Sequence, residues 1–124
     1  MRRTTMTFAK GLLAGVLSLS FLAAPALAAN CKEPKTGTRD VPIFSPPLAF
    51  VVTGSGRLQF HSAPNLRCAM NGIFVIPKDE LVAYAQTGDG WSSVMYVNPR
   101  TGADVSGWVR SERLKVTGTM GPKQ

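Results

Sequence analysis

Gly88-Asp89-Gly90-Trp91-Ser92-Ser93-Val94-Met95-Tyr96-Val97, followed ten residues on by Gly107-Trp108-Val109, is the stretch that decides the fold. A Gly-Asp-Gly turn delivers the chain into a segment rich in β-branched and aromatic residues, and Asn98-Pro99-Arg100-Thr101-Gly102 then makes a hairpin loop. Each glycine before a tryptophan supplies a position able to take positive φ at a strand entrance. Each tryptophan then brings a large rigid surface that closes a core or stacks on a ligand.

The pattern continues in both directions. Downstream, Trp108 to Arg110 reads as strand, Ser111-Glu112-Arg113 as a single tight turn, and Leu114-Lys115-Val116 as the next strand. Upstream, Leu81 to Gln86 is extended, Pro77 to Glu80 has turn composition, and Phe74-Val75-Ile76 reads as a short buried strand. Before a break at Ser62-Ala63-Pro64-Asn65, Leu58 and Phe60 alternate with Gln59 and His61, giving one apolar and one polar face. That alternation predicts an exposed His61. Gly54-Ser55-Gly56 separates this strand from Leu48 to Thr53, and residues 29 to 47, with Pro34, Pro42, Pro46 and Pro47, read as an arm rather than a strand. No segment after residue 28 holds a 3.6-residue apolar period over helical length, so the expected class is all-β.

The chain starts as an address. Arg2, Arg3 and Lys10 precede an apolar run from Gly11 to Ala24, and Ala26-Leu27-Ala28 offers small residues for a signal peptidase. Cleavage is expected after Ala28, leaving 96 residues, enough for one domain, with no membrane span after processing. The expected location is periplasmic or secreted. Eleven basic against seven acidic residues remain, a net charge of +4 without a Lys/Arg stripe, which argues against a nucleic-acid partner. Export places Cys31 and Cys68 where disulfides persist, and a structural bridge between them is expected.

From about Leu58 to Leu114 this order of residues resembles the bacterial SH3-like (SH3b) domain family. The motifs are the extended segment Leu58 to Pro64, the turn Pro77-Lys78-Asp79 before Leu81-Val82-Ala83-Tyr84, Gly90-Trp91 with Val94, and Gly107-Trp108-Val109 with Leu114. The resemblance implies a small barrel of about five strands that recognises a peptide, a cell-wall glycopeptide or a protein across an aromatic-lined groove. The chain then divides into a leader (1–28), an arm and first strand (29–57), the SH3-like barrel (58–116) and a flexible tail (117–124).

The candidate ligand-binding residues are Tyr84, Trp91, Tyr96, Trp108 and Arg110; the aromatic ones fit a core as well as a groove rim. Arg110, with Arg100 and Arg113, would make a basic edge suited to a carboxylate. Asp79-Glu80 is the only adjacent acid pair and reads as turn and solubility chemistry, since glycosidase work needs two carboxylates across a cleft. There is no serine elbow, phosphate-cradling loop or His-Glu metal motif, and two distant cysteines with one histidine match no metal-ligand spacing. The expectation is a monomeric, non-enzymatic binding module without cofactor or metal, directed at peptidoglycan or an envelope protein. The alternative is an inhibitor or immunity protein that blocks a toxin or wall-degrading enzyme, with a structural envelope factor as a third reading.

Overall fold

Strand-forming segments, each stopped by turn residues, give the architecture. The computed structural model describes residues 30–121, so the expected leader and the last three residues of the tail lie outside the described residues. The chain forms β1 (Ile43–Val52), β2 (Leu58–His61), β3 (Ala69–Val75), β4 (Glu80–Gln86), β5 (Trp91–Val97), β6 (Asp104–Arg110) and β7 (Leu114–Thr119). These make one antiparallel sheet in the order β3-β2-β6-β5-β4-β1-β7. There is no α-helix among the described residues, only 3-10 turns at Leu66–Cys68 and at Ser111–Arg113, the latter where a tight turn is expected.

The all-β class is as the patterning predicts, and the sheet is antiparallel; it has seven strands, where the SH3-like resemblance implies a barrel of about five. No backbone pairing joins β3 to β7 among the described residues, so the sheet stays open. Phe50, Val52, Leu58, Phe60, Val75, Leu81, Ala83, Val94 and Val109 form a single buried cluster, and Ile73 of β3 and Leu114 of β7, from opposite edges, pack against it. Burial of this continuous apolar face is the main stabilising term.

Several boundaries differ from the sequence reading: β3 starts at Ala69 rather than Phe74, and β6 at Asp104 rather than Trp108. β1 starts at Ile43 rather than Leu48, running through Pro46 and Pro47. Its partners explain this: Ile43 lies opposite Ala85 and Leu48 opposite Ala83, so five steps of β1 span two of β4. The prolines fall inside that irregularity, where no ladder N–H is required. β3 is not a buried strand either. It is an edge with Val75 inward and Phe74 exposed, Ile76 just past its end is exposed as well, and the Arg57 guanidinium lies 4.1 Å over the Phe74 ring. β7 runs to Thr119, three residues into the expected tail.

The two Gly-Trp pairs use glycine differently. Gly90 takes φ +96° at the entrance of β5, as a positive-φ turn residue should. Gly107 lies inside β6 without positive φ, and a Cβ there would come within 2.8 Å of the His61 carbonyl oxygen and 3.0 Å of Phe60 Cδ2. Glycine is needed here for the close approach of β2 to β6. Gly107→Ala should therefore cost about 1–3 kcal/mol by overpacking. Urea denaturation beside Gly118→Ala, whose Cβ would meet nothing within 4 Å, checks it; equal midpoints for the two variants would refute the close-packing account.

Candidate functional site

The strand register first places the two tryptophans. Directly opposed residues share a sheet face, and the pairings Ala85↔Ser93, Ser93↔Trp108 and Trp108↔His61 set Ala85, Ser93, Trp108 and His61 in one row across the outer face. Trp91, two residues before Ser93, joins them. The arm then covers this face. Val41 packs with Ala85, Trp91 and Trp108 in a second buried cluster, and the Trp108 indole Nε1–H donates to Glu33 Oε1 at 2.8 Å.

The disulfide Cys31–Cys68 ties the arm down, as expected, linking a residue on the exposed arm to a buried one at the entrance of β3. Asn65 helps to present Cys68: its side-chain oxygen accepts from the Arg67 backbone N–H at 2.8 Å and starts the 3-10 turn that ends at Cys68.

His61 is a correction. It lies on the predicted polar face but is only 4% exposed, because Trp91 covers it edge-on at 4.7 Å and its Nδ1 sits 3.3 Å from the Trp108 carbonyl oxygen. Trp91 and Trp108 are 3% and 0% exposed, so in this arrangement they are core residues presenting no face to a ligand. The arginines do not make a single basic edge, since Arg100 lies in the β5–β6 loop and Arg110 pairs with Trp91 at the opposite end of that hairpin. Arg110 stacks 4.9 Å over Trp91 and donates to the Asp89 carbonyl at 3.4 Å. Arg113 is held by backbone, its Nε donating to the Thr53 carbonyl at 2.6 Å and its Nη2 to the Gly56 carbonyl at 2.7 Å.

Open concave surface lies elsewhere. Where β4 begins and β5 ends, a groove of about 320 Å³ is lined by Lys78, Asp79, Glu80, Tyr96, Val97 and Pro99. A second groove of about 250 Å³ shares Glu80 and Val97 with it, and its walls include Ala49, Val82, Met95 and Met120. The charged and apolar grooves thus adjoin. Val82 and Met95 are cross-strand partners, while Tyr84 is exposed with its hydroxyl 3.9 Å from the Met95 sulfur.

No family model, curated protein or solved structure matches the chain. Of the five expected site residues, Tyr96 lines the first groove, Tyr84 lies beside the Met95 wall of the second, Trp91 and Trp108 belong to the cluster beneath the arm, and Arg110 stacks on Trp91.

The sequence reading missed Lys78, Val97 and Pro99 as site residues and assigned Asp79-Glu80 to turn chemistry. Part of that assignment holds, since Asp79 Oδ2 accepts from the Ile76 backbone N–H at 2.9 Å. The clue available was the position of Pro77 to Glu80 immediately before a strand whose hairpin partner ends in Tyr96-Val97.

Chemically, the grooves offer an ammonium, carboxylates, a phenol ring and apolar walls. Such groups orient a ligand. Among the described residues no group of three or more His, Cys, Asp and Glu side chains could hold a metal, and no helix is long and apolar enough to cross a membrane.

Proposed function

We propose that this chain is an exported SH3-like binding module that recognises a cell-wall peptide, as part of peptidoglycan, through the adjoining grooves at Tyr96. The observation that carries the reading is the groove itself. It is open, formed by strand residues together with the Ile76–Asp79 turn and the hairpin loop at Pro99, and combines an aromatic residue with apolar walls and charges of both signs. Tyr96 rests against the core, so its ring is offered with little conformational freedom to lose on binding.

Two features support the SH3-like part. β1 pairs with both β4 and β7, with a register shift in each ladder, as a strand does when it bends between the two halves of a small curled sheet. Core residues from both edges of the sheet meet in one cluster. The Cys31–Cys68 bridge supports export, because such bonds persist in oxidising compartments.

The test is co-sedimentation of the oxidised protein with purified sacculi. Saturable binding is expected, weakened roughly tenfold in Tyr96→Ala, equivalent to about 1.4 kcal/mol for one aromatic contact. Circular dichroism checks the fold of the variant. Absence of wall binding by the unaltered protein overturns the reading and directs the search to a protein target, the toxin-inhibitor alternative first.

A further inference from the structure

Lys78 stands out within the charged groove. It is the only non-glycine with positive φ among the described residues, at +80°. Ile76-Pro77-Lys78-Asp79 is closed by the Asp79 N–H donating to the Ile76 carbonyl at 3.0 Å, with proline second and a left-handed residue third, the pattern of a type II turn. Glycine is the residue that suits the third position, and a lysine there strains the backbone.

The surroundings hold it in place. The Lys78 N–H donates to the Val52 carbonyl at 2.8 Å, the Val52 N–H donates to the Asp79 carbonyl at 2.9 Å, and Asp79 Oδ2 accepts from the Ile76 N–H. Strained residues persist when their surroundings over-determine them, and they gather at ligand sites. Lys78 is exposed, so its side chain contributes no buried packing that would account for the strain. It lines the groove with Glu80 and Tyr96.

We infer that Lys78 is a ligand-contact residue whose ammonium receives a carboxylate of a short zwitterionic peptide. Glu80, which borders both grooves, receives the peptide's ammonium, and small apolar residues of the peptide lie along Ala49, Val82 and Met95. Charge complementarity selects this occupant. A purely anionic ligand would meet Asp79 and Glu80, and a purely cationic one would meet Lys78. The inference rests on the wall-peptide reading and names the chemistry that this site would select.

The probe is a synthetic stem peptide, L-Ala-γ-D-Glu-L-Lys-D-Ala, titrated calorimetrically beside the same peptide with its carboxylates amidated. The amidated form should bind at least tenfold more weakly. Lys78→Gly should raise the urea midpoint of unfolding, because the left-handed position is then unstrained, while weakening binding of the acid peptide at least tenfold. Lys78→Arg should retain most binding.

Equal affinity of the acid and amidated peptides, unchanged affinity in Lys78→Gly, or a lowered urea midpoint in that variant overturns the inference. Sacculus binding separates the two levels. Where sacculi bind but the peptide does not, or binds without regard to Lys78, the ligand assignment falls and the wall-binding function stands; where sacculi do not bind at all, both fall.

Discussion

Replacing Trp108 with alanine is expected to remove about 3–5 kcal/mol of stability, the range for emptying a large aromatic site in a core. Trp108 is fully buried, the largest such side chain in the described residues, and it touches three parts of the structure at once. Its ring packs with Ala85, Trp91 and Val41, and its indole N–H holds Glu33 of the arm. Its strand also pairs with His61 of β2. A domain of this size has on the order of 5–10 kcal/mol in total, so the variant should be partly unfolded near 37 °C.

Urea denaturation followed by far-ultraviolet circular dichroism gives the measurement. A midpoint within error of the unaltered protein would show that the arm face contributes little. The same result bears on ligand studies, since lost binding in Trp108→Ala reports a damaged core. Tyr96→Ala, at the groove, is the better probe of contact.

Removing the disulfide should have an effect of similar size by a different route. Cys31 and Cys68 lie 37 residues apart in sequence, and the loop-entropy relation for that span gives roughly 4 kcal/mol, an upper figure because unfolded chains retain structure. Cys31→Ser with Cys68→Ser should lower the urea midpoint strongly and free the arm at its start. Tryptophan emission should shift to longer wavelength as water reaches Trp91 and Trp108. A lowered midpoint with unchanged emission would mean that Val41 and Glu33 hold the arm without the bridge; an unchanged midpoint would refute a stabilising role.

The strands that were legible in sequence share one property. Leu81, Ala83 and Tyr84 in β4, and Trp91 to Val97 in β5, sit between Gly- or Pro-containing turns, and local chain chemistry suffices to delimit them. The start of β1 was illegible because Pro46 and Pro47 are breakers by local rules. A mismatch in the β1–β4 register, visible only once β4 is beside it, accommodates them. Phe74 and Ile76 read as buried because they are apolar, but β3 lies at the edge of the sheet, and edge position is a property of topology.

The site divides in the same way. Tyr96 was legible as an aromatic residue of a hairpin, and the structure places it in a groove. Lys78 was not: it reads as a solvent-facing turn residue, which it is, but neither its left-handed backbone nor its place at the groove shows before the turn is folded against β1 and β5. His61 is the most instructive residue. Alternation with Leu58 and Phe60 assigned its face correctly, yet that face is buried by Trp91 and lies in the same row as Trp108.

By itself, the sequence determined the all-β class, most of the turns and the pairing of two cysteines, because period-two patterning, glycine and proline conformations and thiol chemistry act locally or by elimination. Tertiary structure alone decided the strand order, the need for glycine at position 107, and the covering of the Trp91–Trp108 face by the protein's own arm. It also placed the open groove at Lys78 and Tyr96. The physical reason is that alternation specifies which side of a sheet a residue occupies, whereas burial depends on what distant segment lies over that side.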